Sequence, residues 1–313
     1  MNDEQRVGHD GQPVECPACG SHDFKFAFAG NIGRNIDSRF SQYAFYDDMF
    51  RCQRCGLLAQ RQSLDKAAII DLLTRERYLD ETIGALNLAE KDQQFTVLLA
   101  IIRLHALLAN KRVLDIGANT GVFLDMLKSE TRHRRGIEPS TEAALAARTQ
   151  FGLDVQNAVI ATADLPRDYF DVMTMFDVVE HLTDPVSDFT ILHQSLKPGG
   201  RIFITTHDIG TLYARLLGKR YPMLMYQHFY HYTPKTLGLL LTRVGFRVIA
   251  NEHFYKFWSI AYLHELFGKK WPDNVAARLV QQVSAPLLWS ERVSHMRLTW
   301  PVREFFMCVA ERV

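Results

Sequence analysis

The run Arg112-Val113-Leu114-Asp115-Ile116-Gly117-Ala118-Asn119-Thr120-Gly121 constrains this chain more than any other segment. An apolar strand ends on a carboxylate, and two glycines let the backbone pass close to a ligand before a helix begins at Val122. Glu138 stands 21 residues after Gly117, at the end of the next predicted strand, Arg135–Glu138. A carboxylate at that distance can accept both hydroxyls of a ribose. A glycine turn alone is often only a packing device; the turn together with the carboxylate points to a nucleoside. The pattern then predicts helix Glu142–Thr149, strand Phe170–Phe176, helix Val186–Leu196 and strand Arg201–Thr206. Helix Thr233–Val244 and strands Phe246–Ala250 and Phe305–Ala310 follow. Strands alternating with helices specify an α/β fold, a largely parallel sheet covered on both faces.

These residues resemble the class I S-adenosylmethionine-dependent methyltransferases. Asp115–Gly121 looks like that family's first motif and Ile137-Glu138-Pro139 like its second. Phe170–Leu182 is similar to the fourth strand and its loop, and Leu196–Arg201 to the turn into the fifth. The resemblance runs from Lys111 to Ala250 and returns at Phe305–Arg312. It implies a Rossmann-like core of seven strands with S-adenosylmethionine as cofactor. Glu138 would hold the ribose, and Gly117, Ala118, Asn119 and Gly121 would border the methionine part. Asp115 would support the donor's amino group indirectly, Phe176 and Asp177 would line the donor, and Asp164 would meet the adenine edge. A dinucleotide dehydrogenase shares the ribose carboxylate but uses G-x-G-x-x-G, a turn suited to a pyrophosphate. The spacing here is G-x-x-x-G, with Asn and Thr that suit a zwitterion.

Methyl transfer from a sulfonium is an in-line displacement, so alignment in a dry pocket does most of the work. A weakly nucleophilic hydroxyl or carbon also needs a base. Two histidine segments offer one. In Asp177-Val178-Val179-Glu180-His181, the residues either fix a loop before the helix near Pro185 or, as in the quinone O-methyltransferases this motif resembles, bind a divalent metal. Asp177 stands where that family has Glu. Tyr226-Gln227-His228-Phe229-Tyr230-His231-Tyr232-Thr233-Pro234 holds many polar rings, each needing a partner if buried. It resembles a segment of the sugar C-methyltransferases, with His228 on the catalytic histidine and Gln227 in place of Glu. Thr233-Pro234 also reads as a helix start. His228 and His181 are therefore the candidate catalytic residues.

Cys16-Pro17-Ala18-Cys19-Gly20 and Cys52-Gln53-Arg54-Cys55-Gly56 are two C-x-x-C-G knuckles. Four thiolates close a tetrahedral zinc sphere, which predicts a structural site. A redox dithiol would instead expect one C-x-x-C beside a βαβ unit. The sugar C-methyltransferases resemble this chain here too, since they begin with a Cys-rich zinc module. Zinc ribbons also bind RNA, but acids offset the few Lys and Arg between residues 12 and 62, so no nucleic-acid partner is expected. Cys308 reads as core.

The expected organisation is a zinc module (12–62), a helical connector (63–110) and a methyltransferase domain (111–313) with a helical cap at 253–303 before the last strand. The connector shows helical periodicity at Leu64–Leu73 and Phe95–Leu107. The cap carries Trp258, Trp271, Trp289 and Trp300 among basic residues. From Thr211 onward 14 Lys and Arg face 6 Asp and Glu, and the cap reads as a cover over the sheet, a dimer contact, a lid over an acceptor carrying phosphate or a lipid tail, or a peripheral membrane surface. No basic-apolar leader precedes the knuckles, and five cysteines make no disulfide framework, so a cytoplasmic location is expected. The expected partner is a small-molecule acceptor, sugar-like first and a quinone or lipid hydroxyl second. A methyltransferase fold that only binds a partner is the non-enzyme alternative, and the oligomeric state is unassigned.

Overall fold

A computed structural model describes residues 14–31, 46–61, 88–260, 264, 275–290, 297–299 and 302–313. Seven strands form one sheet: β4 (Arg112–Ile116), β5 (His133–Ile137), β6 (Asp154–Gln156), β7 (Phe170–Phe176), β8 (Leu196–His207), β10 (Phe246–Phe254) and β13 (Phe305–Arg312). Their order is β10-β13-β8-β7-β4-β5-β6. β6, β5, β4, β7 and β8 are parallel, while β13 runs antiparallel to both β8 and β10. This is the Rossmann-like methyltransferase sheet that the sequence motifs implied.

Alternation builds the core. Leu114, Met173, Ile202, Ile204, Phe306 and Cys308 face one side of the sheet, and Val113, Val172, Phe203, Met307 and Val309 face the other. Helix α1 (Leu88–His105) covers the second side through Leu98, Leu99 and Ile102. α2 (Val122–Met126) follows β4, and α3 (Thr141–Phe151) follows β5. Ser140 caps the start of α3, and Gly152 ends it at φ 63°. α4 (Pro185–Ser195) starts at the Asp184 cap; α5 (Leu212–Leu217) and α6 (Pro234–Arg243) follow β8, α6 inside a Thr233–Thr236 capping box. Cys308 lies in the core as expected, where burial pushes its thiol up to about 12.

The cysteine segment does not stand apart from this core. β1 (Phe24–Phe28), β2 (Met49–Cys52) and β3 (Leu58–Gln60) form an antiparallel sheet completed by β9 (Tyr230–His231). Leu58 pairs with His231, and Ala59 with Tyr230. Phe24, Phe50, Leu57 and Ala59 pack into the same cluster as Leu114 and Met173. One hydrophobic core therefore serves both sheets.

Three differences from the sequence reading have physical causes. β6 is a short edge strand with only Val155 buried, too brief to show alternation. β10 runs longer than its apolar run because Asn251, Glu252 and His253 keep the ladder with β13, and β8 because His207 pairs with Phe305 and Leu196 with Phe170 across a register shift. Among the described residues the cap includes α7 (Val275–Ser284) and a ladder of β11 (Phe257–Ser259) with β12 (Arg297–Thr299), so it is not wholly helical. The Leu64–Leu73 helix, Trp271 and Trp300 lie outside the described residues.

Candidate active site

β4 lies between β5 and β7, so successive connections leave it in opposite directions and open a crevice at the strands' C-terminal ends. The turn after β4 occupies that crevice. Gly117 and Gly121 sit at φ 75° and 82°. A methyl at Gly117 would lie 2.5 Å from Val178 Cγ2, and one at Gly121 2.5 Å from Leu153 Cδ1. Glycine is required there for conformation and for room. Ala118 packs over Gly136 of β5, where an added methyl would meet its Cβ at 2.7 Å.

Asn119, at φ 48°, donates its backbone N–H to Glu138 Oε2, and Ser140 donates its own to Oε1, each at 2.8 Å. These two amides aim the Glu138 carboxylate at the glycine turn. Behind it, buried Asp115 accepts the Thr174 hydroxyl at 2.6 Å. Burial pushes the Asp115 carboxyl up to about 7 against that bond, and the Glu138 charge adds to the rise.

Phe176 meets Phe123 edge-on at 4.9 Å and Phe95 of α1 at 6.0 Å, giving one wall of the crevice an aromatic lining. Asp177 takes a left-handed φ of 54°. Its N–H donates to the carbonyl and hydroxyl of Thr205, its Oδ1 accepts that hydroxyl, and Lys256 Nζ lies 2.5 Å from its Oδ2. Lys256 also stands 4.0 Å over the Phe305 ring. The carboxylate of Asp177 is thus committed to β8 and the start of the cap. Asp164 is exposed, with its backbone held at both N–H and carbonyl by the Gln156 side chain. Asn157 ties the same edge to the carbonyls of Glu138 and Pro139.

The short turn Val179–His181 carries Glu180 and His181 against two other elements. Glu180 is buried; its Oε2 accepts the Thr206 hydroxyl at 2.9 Å, and its Oε1 lies 3.8 Å from His207 Nδ1. Burial would raise this carboxyl, but the His207 bond and the His181 and His207 rings hold it below the usual carboxylate range. His207 Nε2 and His231 Nδ1 are hydrogen-bonded at 2.9 Å. His228 stacks on His207 at 5.2 Å between ring centroids and meets His181 edge-on at 4.8 Å. His181 Nδ1 bonds the Gln227 carbonyl at 2.9 Å, and His228 Nδ1 the Met223 carbonyl at 2.8 Å. A carbonyl only accepts, so both Nδ1 atoms carry the proton and both Nε2 atoms keep a lone pair. Burial, reinforced by the neighbouring imidazoles, depresses His228 and His231 well below the ordinary histidine range. These rings stay neutral at pH 7. His181 is half-buried, lowered by burial against the Glu180 charge, while His207, His228 and His231 are buried.

The methyltransferase-domain family matches residues 90–251, over half of the chain, from α1 into β10. This chain belongs to that family. It is a class I S-adenosylmethionine-dependent methyltransferase. Relatives include the ubiquinone biosynthesis O-methyltransferases of Nitrosococcus oceani, 36% identical over 34% of this chain and 48% of the relative. That of Pseudomonas syringae is 33% identical over 32% and 45%. The match thus spans about half the length of the relatives. An S-adenosylmethionine-dependent methyltransferase of Thermotoga maritima shares the fold at TM-score 0.50, with 18% identity over 76% of this chain and 97% of its own.

In this methyltransferase the four knuckle cysteines come together, with all sulfurs within 4.8 Å. Cys16 and Cys55 lie 3.6 Å apart, as do Cys19 and Cys52. Sulfurs bound to one zinc at about 2.3 Å stand about 3.8 Å apart, so the set fits that ion. Gly20 and Gly56, at φ 74° and 86°, close equivalent turns onto the carbonyls of Cys16 and Cys52.

The methyltransferase gathers the expected donor residues except the exposed Asp164 side chain around one crevice. Asp177 does not join Glu180 and His181 in a metal set; His228 does, and it belongs as well to a second set with His207 and His231. Sequence reading passed over Thr174, His207, His231 and Lys256. The polar run Thr205-Thr206-His207-Asp208 at the end of an apolar strand was the available signal, because functional residues of α/β sheets gather there. Lys256 had none, being 79 positions from Asp177.

Proposed function

We propose that this methyltransferase moves the donor methyl group to a weakly nucleophilic oxygen or carbon of a sugar-like small molecule held against His181. The supporting observation is the joining of the cysteine segment to the His228 segment, the two features shared with sugar C-methyltransferases. β3 pairs with β9, and Gln60 Nε2 donates to the Tyr226 carbonyl at 2.6 Å. His181 is the base in this reading because it is the half-buried member of the imidazole cluster, with a lone pair on Nε2. His228 backs it from within. Zinc at the four cysteines would hold the knuckles in the shape that presents β3 to β9, in a reducing compartment such as the cytoplasm.

The names of the relatives favour a second reading, a quinone or lipid hydroxyl as acceptor. Methyl-labelled donor, purified protein and cell extract, partitioned between water and organic solvent, separate the two. Label in water-soluble, phosphate-bearing products supports the sugar reading; label in the organic phase overturns it in favour of the quinone.

A further inference from the structure

The imidazole cluster has more donor atoms than methyl transfer needs. One ligand atom from each of His207, His228 and His231 lies within 4.8 Å of the others, and all three side chains are buried. Nitrogens bound to one ion at about 2.1 Å stand about 3–4 Å apart, so a small contraction brings the set to bonding distance. The 2.9 Å separation of His207 Nε2 and His231 Nδ1 already equals that of neighbouring ligands on one ion.

The surroundings are those of metal ligands. His228 donates Nδ1–H to the Met223 carbonyl, which frees Nε2. His207 turns Nδ1 toward the Glu180 carboxylate, which is itself held by Thr206. Ligating histidines show this backing by a carbonyl or carboxylate as a rule. His231 is fully buried, and its Nε2 has no partner. A buried polar atom left so keeps its desolvation cost without compensation. A cation on Nε2 would satisfy that orphaned atom; a cation on Nδ1 would instead exchange the hydrogen bond to His207 for a metal bond at the spacing already present.

The geometry points to a second metal centre, in which His207, His228 and His231 bind a divalent first-row transition ion with Glu180 beside them. Imidazole donors select zinc, cobalt or nickel over magnesium and calcium, which prefer oxygen. The ion would fasten the end of β8 to β9 and the residues just before it. Its function is a clasp between the cysteine-bearing sheet and the donor-binding sheet, and it holds whichever acceptor is methylated.

Metal analysis of untagged, full-length protein should give two equivalents per chain after loading with zinc. Adding cobalt to protein whose cysteine site is filled with zinc should produce d–d absorption without sulfur charge-transfer bands. His231→Gln and His207→Gln should each lose one equivalent and that absorption while keeping the thiolate-bound metal. Glu180→Gln should weaken cobalt binding by about 10–100-fold. A wild-type protein that takes up only the thiolate-bound equivalent, and shows no new absorption with cobalt, overturns the proposal. So does a second equivalent that survives in both histidine variants. The wild-type cobalt measurement stands even where a variant does not fold.

Discussion

The side-chain amide of Gln60 donates to the carbonyl of Tyr226 at 2.6 Å and reaches that of His228 at 3.4 Å, crossing from the cysteine-bearing sheet into the catalytic half. Its Oε1 accepts the Asp47 N–H at 2.7 Å, so one buried side chain on β3 ties the backbone ahead of β2 to the backbone ahead of β9. With a common core around it, the protein should unfold in one calorimetric transition. Gln60→Ala should lower stability by about 1–3 kcal/mol, since it strands buried carbonyls. Two separate transitions would mean that the sheets are independent.

Two glycines of similar φ offer a controlled comparison. Gly121 and Gly56 stand at 82° and 86°, but a methyl at Gly121 collides with Leu153 while one at Gly56 meets nothing within 4 Å. Gly56→Ala should cost about 1–2 kcal/mol for its backbone alone. Gly121→Ala adds overpacking and should cost about 2–5 kcal/mol. Urea denaturation of the pair measures the difference, and equal losses would remove the packing argument.

Asp115 links donor affinity to pH. Its carboxyl is raised to about 7, and a donor ammonium held near it, as the resemblance implies, would favour the charged form. Binding of S-adenosylhomocysteine should therefore weaken as pH falls below 7, by up to about tenfold per unit. Asp115→Asn should bind more weakly at pH 8 and show no such slope. Titration calorimetry from pH 5.5 to 8.5 checks both, and a flat wild-type profile would refute the linkage.

The buried imidazoles should govern acid stability in the metal-free protein. His228 and His231 are depressed in the fold and take up protons in the unfolded chain near pH 6.5. Stability from this source is complete above about pH 6.5 and falls as pH drops below it. Asp115 acts oppositely between about pH 4 and 7, because its raised carboxyl keeps a proton that the unfolded chain releases. Two groups outweigh one, so the midpoint for urea should decline from pH 6.5 to 5. His231→Gln should flatten that decline.

His181→Gln tests the base. Turnover should fall about 100- to 10,000-fold while S-adenosylhomocysteine affinity is unchanged. Unaltered turnover would pass the role to His228 or to no residue at all.

The donor half of the molecule was legible because its signals are local. The strand, turn and helix at Arg112–Met126 are adjacent in sequence, and Glu138 follows at a fixed interval. The paired knuckles were legible for the same reason. The imidazole cluster was not, because β8, the turn after β7 and β9 contribute one or two residues each. No periodicity connects His207 to His231. Whether Asp177 shares a metal set with Glu180 and His181 was left open by the sequence, because what holds its carboxylate, Thr205 and the distant Lys256, lies 28 and 79 positions away.

β9 is two residues long, yet it belongs to one sheet by its ladder and to the catalytic region by His231. An exchange of segments between related enzymes cannot cut between residues 58–60 and 226–231 without separating a strand from its only described neighbour in that sheet. Acceptor preference in this lineage should therefore pass between genes as a linked pair of distant blocks, and chimeras that carry one block without the other should be the ones that fail.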